Sequence, residues 1–173
     1  MNTMNDADLL DKFVALFEPL EEFIEPDSII PAGRQATDIS ATEALYALLP
    51  AKFPKLYEKL TLSYRWQSST IGDGYRILAN PIGIDLSGLT AAIFRDKGLS
   101  DELLPNGFIQ FGFGIPYDYD PICFQTNSKS ARDYPIVRVD HEEILCNWRI
   151  RVTEQIAPSF REFVENQIAA FNK

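Results

Sequence analysis

Phe108-Ile109-Gln110-Phe111-Gly112-Phe113, then Ile122-Cys123-Phe124, then Ile136-Val137-Arg138-Val139 are three short runs, each aromatic or β-branched and each bounded by turn-forming residues. Such side chains fit a pleated surface, and the runs are too short to be helices with a core face of their own. Turn-rich connections rather than helical crossovers separate them, which predicts a largely antiparallel sheet. Leu104-Pro105-Asn106-Gly107 turns the chain into the first run, and a further strand is expected within Ile144 to Val152.

On the C-terminal side the period changes from two to about 3.6. Ser159 with Glu162 three residues on has capping-box spacing, and Phe160, Phe163, Val164, Ile168 and Phe171 form one apolar stripe, so a helix packs here against the sheet or the first helix. Upstream, Leu9, Phe13, Leu16, Phe17, Leu20, Phe23 and Ile24 recur at spacings of three and four, predicting a helix over Asp8 to Ile24. Pro19 removes a backbone donor and crowds the preceding turn, so a kink or break is expected near Phe17. Residues 25–37 carry two prolines and Gly33 without a helical period. Ser40 and Glu43 make a second capping box ahead of Leu45, Leu48 and Leu49, and another short helix is expected around Leu56, Tyr57 and Leu60. Leu62, Tyr64 and Trp66 alternate as a half-buried strand anchored by the tryptophan. Tyr75 to Leu78 reads as a short strand, and Ser87 to Arg95 as a helix with Gly98 as its C-cap. With 173 residues, 46% apolar and 24% charged, one domain over 1–173 is expected, residues 1–37 forming an N-terminal helical extension.

The formal net charge of −9 speaks against direct nucleic-acid binding, which draws on clustered Lys and Arg, and favours a basic protein partner. No run of about eighteen apolar residues predicts a membrane span. Residues 1–8 lack the basic and apolar regions of a secretory signal, so a cytosolic protein is expected. Cys123 and Cys146 sit among apolar neighbours and read as buried, inert thiols. One histidine and no CxxC spacing argue against a Cys/His zinc site, and no cofactor is expected. Gly112-x-Gly114 is not continued as a dinucleotide fingerprint, and no Gly-x-Ser-x-Gly elbow is present. With His141 as the sole imidazole and no thiol in an electropositive setting, the chain is not expected to be an enzyme.

Two acidic clusters look like a site. Tyr117, Asp118, Tyr119 and Asp120 combine large aromatic surface with carboxylates suited to an Arg or Lys partner. Asp140, His141, Glu142 and Glu143 follow the third run. If both clusters lie at adjacent strand ends their carboxylates can converge on a basic side chain or a hard cation. The plainer alternative is structural: turn and strand-end hydrogen bonds, with the tyrosines covering the edge of the core. Residues 125–133, with Lys129 and Arg132, read as a connecting loop.

Several of these pieces together resemble the SUKH superfamily, which includes the fungal Smi/Knr cell-wall-assembly regulator and bacterial immunity proteins. Leu104-Pro105 leading into the Phe108–Phe113 strand, Asp120-Pro121-Ile122-Cys123-Phe124, Pro135-Ile136-Val137 with Val139-Asp140-His141-Glu142, and Ile156-Ala157-Pro158-Ser159-Phe160 with Phe163 follow one another in the family's order. Leu49-Pro50 with Phe53, Leu56 and Leu60 is similar to its early helix, and Trp66 to its tryptophan strand, while 67–80 departs from its pattern. The resemblance implies an α+β fold, a central twisted, mostly antiparallel sheet flanked by helices, and a protein-binding role, most commonly that of an immunity protein that neutralises a cognate toxin domain such as a basic nuclease. A scaffold or regulatory adaptor of the same fold is the alternative it leaves open, and a metal-dependent hydrolase using the acidic clusters is the reading from another class.

Overall fold

The computed structural model describes residues 4–20, 28–72, 74–115, 119–128 and 133–173. In chain order its elements are α1 (Asp6–Val14), β1 (Phe17–Pro19), β2 (Gly33–Arg34), α2 (Ala41–Tyr46), α3 (Lys55–Ser63), β3 (Tyr64–Arg65), β4 (Ser69–Ile71) and β5 (Tyr75–Ile77), followed by α4 (Ser87–Ile93), α5 (Lys97–Leu103), β6 (Phe108–Gly114), β7 (Pro121–Gln125), β8 (Ile136–Val139), α6 (His141–Asn147), β9 (Val152–Ala157) and α7 (Phe160–Phe171). The three decisive runs are β6, β7 and β8, and they are neighbours in a seven-stranded antiparallel sheet of order β1-β4-β5-β6-β7-β8-β9. β2 and β3 form a separate two-stranded ladder. The class is α+β, with helices on both sides of the sheet.

Alternation divides the central strands between two cores. Ile109, Phe111, Ile122, Phe124 and Ile136 join the larger one with α1, α3 and α7. Phe108, Cys123, Val137 and Val139 meet Leu99 and Leu103 of α5 and Ile144 of α6 in the smaller one. Burial on both faces is why these strands read as near-continuous apolar runs. At the heart of the larger core, Phe111 and Phe124 stack at 4.4 Å, and Phe160 meets the Tyr57 ring edge-on at 5.1 Å. At Gly112 the backbone of β5 comes so close that a Cβ would lie 2.6 Å from the Arg76 carbonyl oxygen, so only glycine fits there.

The N-terminal helix stops at Val14, well short of Ile24. After it, Phe17–Pro19 pairs with β4 as the outermost strand. Phe17 keeps its place in the core, with its ring 5.6 Å from Trp66, so a helical spacing and a turn into a strand bury the same residue. Pro19 lacks the N–H a central strand requires and is tolerated at the edge. Phe23 and Ile24 lie outside the described residues. Of the strand expected over 62–67, only Tyr64–Arg65 forms a ladder: Leu62 and Ser63 complete α3, and Trp66 makes an isolated bridge to Asn80. Gly98 does not cap α4, because it lies in the first turn of α5, whose cap is Asp96. The expected Ile144–Val152 strand is replaced by α6, a bend, and only then β9. Asp140 and Glu143 have the spacing of a helix start, and Asp140 Oδ1 accepts the Glu143 N–H at 3.1 Å.

Of the two capping boxes, Ser159 takes up its role and accepts the Glu162 N–H at 3.1 Å. Ser40 does not: it is already in helical conformation, and its own N–H is taken by Asp38 Oδ1 at 2.8 Å. Trp66 is the anchor its strand was expected to hold. It is 2% exposed and donates from Nε1 to the Leu78 carbonyl at 2.8 Å. Among the described residues no helix is long and apolar enough to cross a membrane.

Candidate functional site

Antiparallel pairing sets Ile122 of β7 opposite Arg138 of β8, so the residues just before β7 and just after β8 emerge at the same end of the sheet. Asp120 and Asp140–Glu143 therefore converge, as the two-cluster reading required. Asp120 Oδ1 accepts the His141 backbone N–H at 3.0 Å and lies 2.7 Å from His141 Nδ1. The exposed ring of Tyr119 stands edge-on to the imidazole at 6.1 Å. Tyr117 and Asp118, like Lys129 and Arg132 of the connecting loop, lie outside the described residues.

Most of the acidity gathered here is already spoken for. Asp140 caps α6 and faces Arg151 Nη1 at 3.7 Å. Glu143 takes the Arg149 guanidinium at 3.0 Å and the Asn147 amide at 3.1 Å. Asp120 holds His141. Among the described residues only Glu142 of this group is an exposed carboxylate with no side-chain partner. The turn and strand-end roles that competed with the binding reading are thus present for Asp120, Asp140 and Glu143. The outward surface left over is Tyr119, Glu142 and the outer ring edge of His141.

One neighbour escaped sequence reasoning. Trp148 ends α6 in the left-handed region at φ 53° and is 67% exposed. A bulky side chain in that conformation costs on the order of 1 kcal/mol, and an exposed tryptophan returns little of it through burial. With Leu145, also exposed, it extends the outward surface of α6. The signal that would have exposed it is the Asp140–Glu143 capping spacing: once α6 is a helix rather than a strand, Trp148 falls at its C-terminus. Cys146 turns outward for the same reason, against the expectation of a buried thiol, whereas Cys123 is fully buried and burial pushes its thiol up.

Chemically, the Asp120–His141 couple fixes the ring so that Nδ1 faces the carboxylate and Nε2 faces away. Among the described residues no serine, threonine or cysteine side chain is hydrogen-bonded to that imidazole, and no group of three or more His, Cys, Asp or Glu could hold a metal ion. A scan against models of protein families finds no match, and neither curated proteins nor solved structures yield one.

Proposed function

We propose that this α+β protein is a cytosolic protein-binding domain of the SUKH kind, acting as an immunity protein that masks a toxin domain. Binding rather than catalysis is its activity. The observation that carries this reading is the exposed Tyr119 ring standing over the Asp120–His141 couple at one sheet end, with the unpaired Glu142 on the first turn of α6 and the exposed Trp148 at the end of that helix, since tyrosine and tryptophan are among the types that dominate interface energetics. The ordered motifs from Leu104 to Val164 support the family, and the overall negative charge suits a basic partner. The salt-bridged acids act as scaffold and the unpaired ones as contact. On this reading Asp120, Asp140, His141 and Glu143 hold the surface in shape and Tyr119 and Glu142 make contact, while Tyr117 and Asp118 lie outside the described residues.

The test is to look for a toxin domain encoded beside the gene and to co-express the two. Rescue of growth and co-purification are expected. Tyr119→Ala combined with Glu142→Lys should weaken binding at least about tenfold and flatten its salt dependence, because both side chains are exposed and neither holds the fold. Failure of the wild-type protein to rescue or to co-purify overturns the immunity role for that pair, and unchanged affinity in the double variant moves the interface elsewhere. Rescue of a broad range of unrelated partners would instead favour a general adaptor.

A further inference from the structure

At the opposite end of β8 lies a groove of about 780 Å3 between α2, the start of α3 and Asp133–Tyr134. Its walls are aromatic. Phe53 forms the floor, 5.5 Å from the Tyr46 ring, and Tyr134 closes one side. Its half-buried charges are both acidic: Glu58, whose Oε2 accepts the Tyr46 hydroxyl, and Asp133, which accepts the Tyr134 N–H at 2.8 Å. Its two lysines, Lys52 and Lys55, are exposed at the rim and free to swing into water. Lys52 places its ammonium 6.0 Å over the Tyr46 ring, so a cation of the chain's own already rests on that aromatic face.

We infer that this groove receives an arginine side chain of a basic polypeptide. The reasoning is one of elimination. An anion would find only the exposed Lys52 and Lys55 at the rim and would face the half-buried Glu58 and Asp133 inside, and a purely apolar group would set those two carboxylates against hydrocarbon. A guanidinium satisfies both features, since its plane stacks on tyrosine and phenylalanine faces while its N–H fork reaches a carboxylate. It sheds water more readily than an ammonium does. A groove of this size exceeds one side chain and admits the flanking backbone, which makes a polypeptide rather than a free amino acid the natural occupant. Burial holds the Asp133 carboxyl above its ordinary value even though the Tyr134, Phe160 and Arg161 N–H groups and the Arg161 charge act the other way. The site is separate from the sheet end bearing Tyr119 and Glu142 and does not depend on the toxin reading.

The probe is acetyl-Gly-Arg-Gly-amide, titrated into the intact protein with ring-proton shifts of Tyr46, Phe53 and Tyr134 as readout. The same peptide with lysine, and with neutral citrulline, serves for comparison. Saturable shifts confined to the groove are expected for arginine, weaker ones for lysine and none for citrulline. Glu58→Gln and Asp133→Asn, which keep the acceptors of the internal hydrogen bonds, should each weaken binding about fivefold, and Lys52→Ala should tighten it by removing the resident cation. Equal shifts for arginine and citrulline overturn the proposal, as do shifts centred on Tyr119 and His141, or binding indifferent to all three substitutions in folded protein. Tyr119→Ala and Glu142→Lys leave the groove intact, so failure of the sheet-end site is read independently.

Discussion

The hydroxyl of Tyr57 is completely buried and has no hydrogen-bond partner among the described residues, while its ring packs against Phe53, Phe111, Phe124 and Phe160. Desolvation without a compensating bond costs about 1–3 kcal/mol. Tyr57→Phe keeps every ring contact and removes the orphan, so the midpoint of denaturant unfolding should rise by the equivalent of about 1 kcal/mol. An unchanged or lowered midpoint would mean that the hydroxyl has a partner. Asn80 is the contrasting case: equally buried, it donates from Nδ2 to the Thr61 and Tyr64 carbonyls and accepts from Arg65 at 3.0 Å. Trp66 was legible as an anchor because an aromatic in an alternating run must go inside. Asn80 was not, since a buried asparagine is defined by groups up to nineteen residues away that no local pattern brings together. The same holds at the site, where strand ends could be placed from sequence but not which acids would be consumed by a cap or an arginine.

Two helix starts with the same sequence signal end differently, and that difference can be measured. Ser159→Ala removes a cap bond to the Glu162 N–H and should cost about 1 kcal/mol, whereas Ser40→Ala should be nearly neutral because Asp38 already turns the chain there. Equal losses in thermal or denaturant unfolding would show that the Ser40 side chain caps after all. The reason lies upstream: an aspartate two residues earlier gives Ser40 a partner for its own N–H and draws it into the first turn. β9 went unseen for a related reason. Val152-Thr153-Glu154-Gln155 are all exposed at the sheet edge, so the strand has no buried alternation to betray it, while the apolar Ile144 just before it belongs to α6. Its pairing with β8 is irregular at two points, and bulges of this kind, with Glu154 on the strand, discourage edge-to-edge association.

For the whole molecule, Asp6 is a knot between three helices. Its carboxylate pairs with Lys59 of α3 and Arg161 of α7, and the hydrogen bond from Lys59 leads the effects that hold its carboxyl below the ordinary 3.8. A carboxyl lowered in the folded state stabilises above its unfolded value, and that contribution is lost as pH falls through the folded one. Stability should therefore decline on acidification from about pH 5 and go on declining below the ordinary 3.8, and Asp6→Asn should flatten that limb while costing only about 0.5–1 kcal/mol at neutral pH, since all three side chains remain partly in water. A limb equally steep in the variant would assign the acid sensitivity to other groups. The α+β class was readable because strand and helix periods alternate plainly in the second half. That α7 would cover both the sheet and α1 was readable only as a choice between the two, because an amphipathic stripe states that it will be covered without stating by what.

That last packing has a temporal side. Phe13 rests edge-on against Phe160 and Phe163 at 6.0 and 6.3 Å, so part of the cover for the first helix is translated long after the helix itself. At ordinary elongation rates residues 6–20 leave the ribosome on the order of ten seconds before residues 160–164 exist. For that interval Leu9, Leu10 and Phe13 form a greasy stripe on a nascent chain, with nothing of their own to sit on and every reason to be shielded by a chaperone.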